Sequence, residues 1–289
     1  MKFLLILILF SSVHSGLIDK LGGDFERSTK GLSKESQLRV RELLSGLDSS
    51  KIVDVHVHVV GNGSSGSGAW INPDLKKWNH FTKNFQYKIY LSASGIEDEA
   101  KADEQAFAYL KKWVNAFPIG GKFYLLAFDA YYNKDGSLDS AKTEFHIPNQ
   151  YVWNLSQREP RLETTVSIHP YRKDAIAEVK KWGQKGVRMI KWLPNAMGID
   201  AADSSLIPFY QEVKKQNMII LTHVGEEKAV EAEEDQKYGN PLLFRLAMDI
   251  GVPVIMAHCA SLGENQDLDD PQKTMRSAFD LFTRMMNNP

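Results

Sequence analysis

The sequence lacks most of the features that settle a protein's class at once. It has a single cysteine, Cys259, so a disulfide-stapled scaffold and a four-cysteine zinc site are both excluded. It has no dense basic block: 35 Lys and Arg stand against 36 Asp and Glu, for a net charge of -1. The phosphate-neutralising surface that nucleic acid requires is missing, so no nucleic-acid partner is expected. It has no glycine-rich fingerprint opening the first crossover, which argues against a dinucleotide cradle. Nor is there an apolar run near the roughly 20 residues of a membrane span. The run at 3–10, after Lys2 and before the small residues Val13 and Ser15, reads instead as an export signal. Residues 1–15 are therefore expected to be removed, giving a secreted or periplasmic protein with no membrane partner after cleavage.

What remains is a globular composition, 289 residues of which 43% are apolar and 25% charged. Residues 16–50 form an N-terminal helical segment: Leu38, Leu43, Leu44 and Leu47 follow helical spacing over 33–47, which predicts an amphipathic helix packed across one end of the main domain. Six short runs rich in β-branched residues then predict buried strands at 51–60, 122–129, 163–169, 187–193, 218–223 and 253–258. Helical patterns separate them at 97–117, 171–182, 204–215 and 241–250. Such alternation means parallel strands with helical crossovers. Histidines end several strands (His56 and His58, His169, His223, His258), and chemistry at the C-terminal end of many strands favours a barrel over a doubly wound sheet. The expected fold is α/β, a (β/α)8 TIM-barrel type with about six units present. Only one helical pattern, 273–286, follows the sixth strand, so residues 51–289 are expected to be a barrel truncated at its C-terminus.

Alternation along the first strand sends Asp54, His56 and His58 to one face and the valines to the other. Side by side, two imidazoles suit a divalent metal, zinc first, in a site of one or two ions; the competing reading is a hydrogen-bonded core pair. His223 and His258 end consecutive apolar runs. One can serve as a further ligand, the other as a second ligand or a donor that polarises a substrate carbonyl. Lys191 ends the fourth strand, where a buried ammonium needs an anion, and Asp129 is a candidate partner. Cys259 alternates away from His258 and is expected to be packed and inert.

The loop 61–68, rich in glycine and serine, has the flexibility of a lid. Trp70, Tyr131 and Tyr132 either line a substrate pocket or simply pack. Arg172 either meets an anionic substrate or lies solvated at a helix start. Glu226, Glu227, Glu231, Glu233 and Glu234 read as a solvated helical face, and Glu264, Asp267, Asp269 and Asp270 as a solvated loop. The partner expected from these features is a small-molecule substrate, with a homo-oligomer left open.

Taken in order, His56-x-His58, Lys191 within Met189-Ile190-Lys191-Trp192-Leu193-Pro194, His223 and His258 resemble the metal-dependent amidohydrolase superfamily, in its amidohydrolase-related branch. The resemblance covers about 52–281. It implies His56 and His58 as ligands of the first metal, His223 as a further ligand, and His258 as a ligand or substrate-polarising group. Lys191 would then be a carboxylated bridge between two ions, or would hold a substrate carboxylate. The implied activity is hydrolysis of an amide, ester or lactone type bond, with nonoxidative decarboxylation as the alternative within the superfamily. The superfamily's last-strand aspartate has no counterpart among the acids after His258, which adds an inactive binding protein as a third reading. His169-Pro170 also resembles the third-strand motif of TatD-type nucleases, but Lys191 stands where those carry glutamate.

Overall fold

The computed structural model describes residues 33–287 apart from 78, 80 and 231. The export signal, the start of the 16–50 segment and Glu231 lie outside the described residues. Two units are distinguished, one running to Tyr124 and including Leu155–Glu163, the other made of Leu125–Asn154 and Thr164–Pro289.

In the first unit, helix α1 (Lys34–Leu44) starts where Ser33 accepts a hydrogen bond from the Ser36 N–H, but none of its residues is buried. Leu38 and Leu43 are exposed, so the expected packing of its apolar stripe is not made within the described residues. Strand β1 (Val53–His58) follows, then β2 (Trp70–Ile71), α2 (Phe81–Ala93) and α3 (Ala102–Ala116). Helix α3 has Asp103 and Glu104 in its first turn and buries Ala106, Phe107 and Val114 along one stripe. Strand β3 (Lys122–Leu126) begins beside β1, the Lys122 N–H donating to the Ile52 carbonyl at 3.0 Å.

The second unit contains the ends of β3 and of β5 (Leu162–Thr165), with β4 (Phe145–His146) and most of α4 (Asn149–Ser156) between them. Helix α5 (Ala175–Gln184), β6 (Met189–Trp192), the short α6 (Pro194–Met197), α7 (Ile207–Lys215), β7 (Ile219–Thr222), α8 (Arg245–Ile250) and β8 (Val254–Met256) continue it. Strands β6, β7 and β8 are parallel neighbours, Lys191 opposite Leu221 and Leu221 opposite Ile255. A further parallel bridge joins Val166 to Ile190. All four residues of β6 are buried, as a central parallel strand covered on both faces requires. Its single charged member, Lys191, therefore stands out. Trp192 anchors the core, stacked on Phe209 at 5.6 Å with its indole N–H donating to the Ile168 carbonyl at 2.8 Å. Fully burying such an apolar side chain stabilises a fold by about 1.5–3 kcal/mol.

Every expected strand is present, each ending earlier than expected, and the class is mixed α/β with parallel pairing. The described strands do not close a ring. The pattern at 241–250 divides into a 3-10 turn and α8. The stretch 264–277, expected to be a solvated loop running into a helix, instead holds an antiparallel pair, β9 (Glu264–Gln266) with β10 (Met275–Ser277), before α9 (Ala278–Asn287). Asp267 is buried there, accepting from Arg276 at 3.0 Å and from both terminal nitrogens of Arg284 at 2.7 and 2.6 Å. Paired guanidinium groups are what permit a carboxylate at that depth. Among the described residues no helix is long and apolar enough to cross a membrane.

Candidate active site

The C-terminal ends of β6, β7 and β8 carry Lys191, His223 and His258. His223 is buried directly after β7, its backbone N–H bonded to the Trp192 carbonyl at 3.0 Å. The chain then turns back through Gly225 at φ +89°, where a Cβ would lie 2.6 Å from the Leu262 carbonyl oxygen. Only glycine combines that backbone angle with so close an approach. The turn returns Glu227 to His223, placing Oε2 3.4 Å from Nδ1 with both side chains under a tenth exposed. Glu227 Oε1 accepts from the backbone N–H groups of Ala229 at 2.5 Å and Val230 at 3.3 Å.

An amide clamp fixes the Glu227 backbone. Gln236 accepts the Glu227 N–H at 2.9 Å and donates to the Glu227 carbonyl at 2.7 Å. Asn195, buried after β6, donates to the Gln236 side-chain oxygen at 2.9 Å and to the Gly225 carbonyl at 3.1 Å. Glu227 is thus a site residue and not part of a solvated helical face. Glu234 is exposed, and the 233–239 stretch is a 3-10 turn. The sequence signal for Glu227 is slight, a carboxylate four residues after a strand-end histidine across a glycine turn.

The His258 ring lies 4.7 Å from that of His223, centroid to centroid, at 60°. Burial, then the nearby His258 and Lys191, hold the His223 imidazole neutral by lowering its pKa to about 3. Burial pushes Lys191 down to about 8, with Glu227 opposing the shift. One His223 nitrogen, Nδ1, faces a carboxylate; the other, Nε2, is buried without a hydrogen-bond partner. His258 is exposed and reached through three successive left-handed residues, His258 (φ 45°), Cys259 (φ 54°) and Ala260 (φ 51°). That turn overrides strand alternation, so Cys259 is exposed and not packed against helices as expected.

The other histidine pair belongs to the first unit. On β1 the His56 and His58 rings stand 5.1 Å apart, which bears out the expectation that they share a face, and Asp54 accepts from the His56 backbone N–H at 3.0 Å. Among the described residues no group of three or more His, Cys, Asp and Glu side chains gathers as a metal site.

Other expectations change in detail. Asp129 is buried, but its carboxylate is engaged by Arg172 at 3.0 Å and the His169 backbone N–H at 2.8 Å; Glu227 is the carboxylate that acts on Lys191. Arg172 also pairs with Asp174 at 2.8 Å, so its guanidinium is committed inside the protein and its plane lies over Tyr132 at 5.6 Å. Tyr131 donates to Asp235 at 3.0 Å, and Trp70 is half-buried on β2. His169 is fully buried with both nitrogens used: Nε2–H donates to the Met197 carbonyl at 2.7 Å and Nδ1 accepts from the Tyr171 N–H at 3.2 Å. It is a structural histidine.

The 61–68 loop is held in place and does not have the freedom expected of a lid. Asp103, 1% exposed, accepts from the backbone N–H groups of Asn62, Gly63 and Ser65 and from the hydroxyls of Ser65 and Ser67. No known protein family matches the chain, and no curated protein resembles it significantly.

Proposed function

We propose that the chain is an exported metal-dependent hydrolase of the amidohydrolase superfamily, on a (β/α)8-type barrel of which about six units are present, acting on an amide, ester or lactone type bond of a small molecule. The observation that carries this reading is His223, a neutral imidazole with Nδ1 turned to the Glu227 carboxylate and Nε2 buried and unbonded. A metal-binding histidine has these properties: deprotonated on the donor nitrogen and oriented by a carboxylate on the other. Within its own unit His223 is the residue that would hold the ion, and His56 and His58 are the further ligands that the resemblance implies. A divalent cation, zinc first, supplies Lewis acidity that polarises a carbonyl and makes water nucleophilic near neutral pH.

The chain's own groups do the rest. Glu227 fixes the tautomer and direction of His223, and Gln236 with Asn195 fixes Glu227. His258, exposed beside His223, donates a hydrogen bond to the substrate oxygen where negative charge develops. Lys191, whose ammonium burial makes easier to deprotonate, either holds a substrate carboxylate as the cation or, as the neutral amine, adds CO₂ with release of a proton to form an anionic carbamate. Tyr131 supplies an apolar wall for the substrate, and Arg172 enters as the holder of Asp129.

The test is hydrolysis of a panel of lactones, aryl esters and N-acyl amino acids by zinc-loaded protein, with CO₂ release measured in parallel. Product formation that a chelator abolishes and zinc restores supports the hydrolase. Release of CO₂ alone would transfer the assignment to the decarboxylase branch, and zinc-independent hydrolysis would remove it.

A further inference from the structure

A cavity of about 240 Å³ lies in the first unit. Its walls are Val60 after β1, Phe107, Leu110 and Trp113 on α3, and Leu155. Among the described residues the polar side chains on its lining are His58, Ser94 and Tyr109, and none of the lining residues is an acid, a lysine or an arginine.

Part of the wall is held by contacts within the unit. Phe107 is 3% exposed, and the Arg158 guanidinium lies over its ring at 4.1 Å. Arg158 is itself held by Glu104 through two hydrogen bonds of 3.0 and 2.9 Å. Tyr109 meets Trp113 edge to face at 6.4 Å. The lining is mainly apolar, with a few polar groups that can orient one heteroatom, the usual composition of a small-molecule site. An apolar void of roughly 150 Å³ already holds benzene, and water gains little where polar partners are few. An ionised ligand would lose its hydration here without gaining a counter-charge.

We propose that this cavity binds a small uncharged aromatic molecule of one or two rings. The ring packs between Phe107, Leu110 and Trp113, and one polar atom is directed toward Ser94 or Tyr109. His58 on the lining is also one of the histidines proposed for the metal, so indole binding is measured on metal-free protein, where the hydrolase reading does not enter.

The experiment uses indole as the probe, with binding to the full chain followed by ligand-observed NMR and by the shift in thermal midpoint. Benzoate serves as the ionised comparison. Ala106→Leu fills the cavity from α3, and Ala93→Trp obstructs it from an exposed position at the C-terminal end of α2, so the second variant decides if the first fails to fold. The expected result is saturable indole binding that weakens at least tenfold in either folded variant, with benzoate at least tenfold weaker than indole. Absence of saturable binding, or binding unchanged in folded Ala93→Trp, overturns the site. Benzoate binding as tightly as indole overturns the assignment to uncharged ligands.

Discussion

Glu227 Oε2 lies 3.4 Å from His223 Nδ1, and both side chains are almost wholly withdrawn from solvent. A carboxylate so placed favours a proton on Nδ1, which leaves Nε2 with an unprotonated lone pair.

Glu227→Gln keeps the size of the side chain and an oxygen for the Ala229 and Val230 N–H groups, but removes the charge that orients the ring. Zinc affinity is expected to fall about 10–100-fold with the fold retained. Competition titration against a chromophoric chelator measures this, with circular dichroism as the control.

The amide clamp predicts a stability effect that the metal does not mediate. Gln236→Ala strips partners from the Glu227 N–H and carbonyl at once. Leaving buried backbone groups unpaired costs about 1–3 kcal/mol. Urea unfolding of metal-free protein should show a loss in that range.

The left-handed run after β8 predicts a stabilising substitution. A non-glycine residue in this conformation costs roughly 1–2 kcal/mol, of which glycine relieves most while adding about 0.5–1 kcal/mol of unfolded-chain entropy. Cys259 is exposed, so its side chain contributes little packing. Cys259→Gly should therefore raise stability slightly, by up to about 1 kcal/mol, read from the urea midpoint.

Asp103 predicts the acid behaviour of the loop 61–68. Burial pushes its carboxyl up, but hydrogen bonds from Ser65, Ser67 and the backbone outweigh this and leave it below the ordinary 3.8. A carboxylate depressed on folding stabilises fully above its unfolded value, and that contribution is lost as pH falls below 3.8 and through the folded value. Amide exchange at Gly63 and Ser65, corrected for intrinsic pH dependence, should show protection at pH 5 that declines below pH 4. In Asp103→Asn the protection should be weak at both.

The strands were legible because runs such as Met218-Ile219-Ile220-Leu221-Thr222 are too apolar and too β-branched to be anything but buried, and because charged or imidazole groups stand out at their ends. The β1 histidine face followed from alternation alone. Glu227 and Asp267 were illegible because acids beside other acids read as solvated, Asp103 drew no reading at all, and what buries each is a partner distant in sequence or across a turn. Gln236 with Asn195 fixes Glu227, the 61–68 loop closes over Asp103, and Arg284 with Arg276 neutralises Asp267. Cys259 was misjudged because alternation holds only while the backbone is extended, and it turns left-handed at His258. The α1 stripe shows the converse, since helical spacing specifies a face but not what covers it.

The most direct test of the account is cobalt binding by the purified full chain, wild type against His223→Ala, followed through the visible absorption of the bound ion. The account predicts saturable binding near stoichiometry in the wild type, weakened at least tenfold when His223 is lost while the circular dichroism spectrum is kept. Wild-type protein that binds no cobalt at micromolar concentration, or a folded His223→Ala variant that binds it as well, would contradict the account.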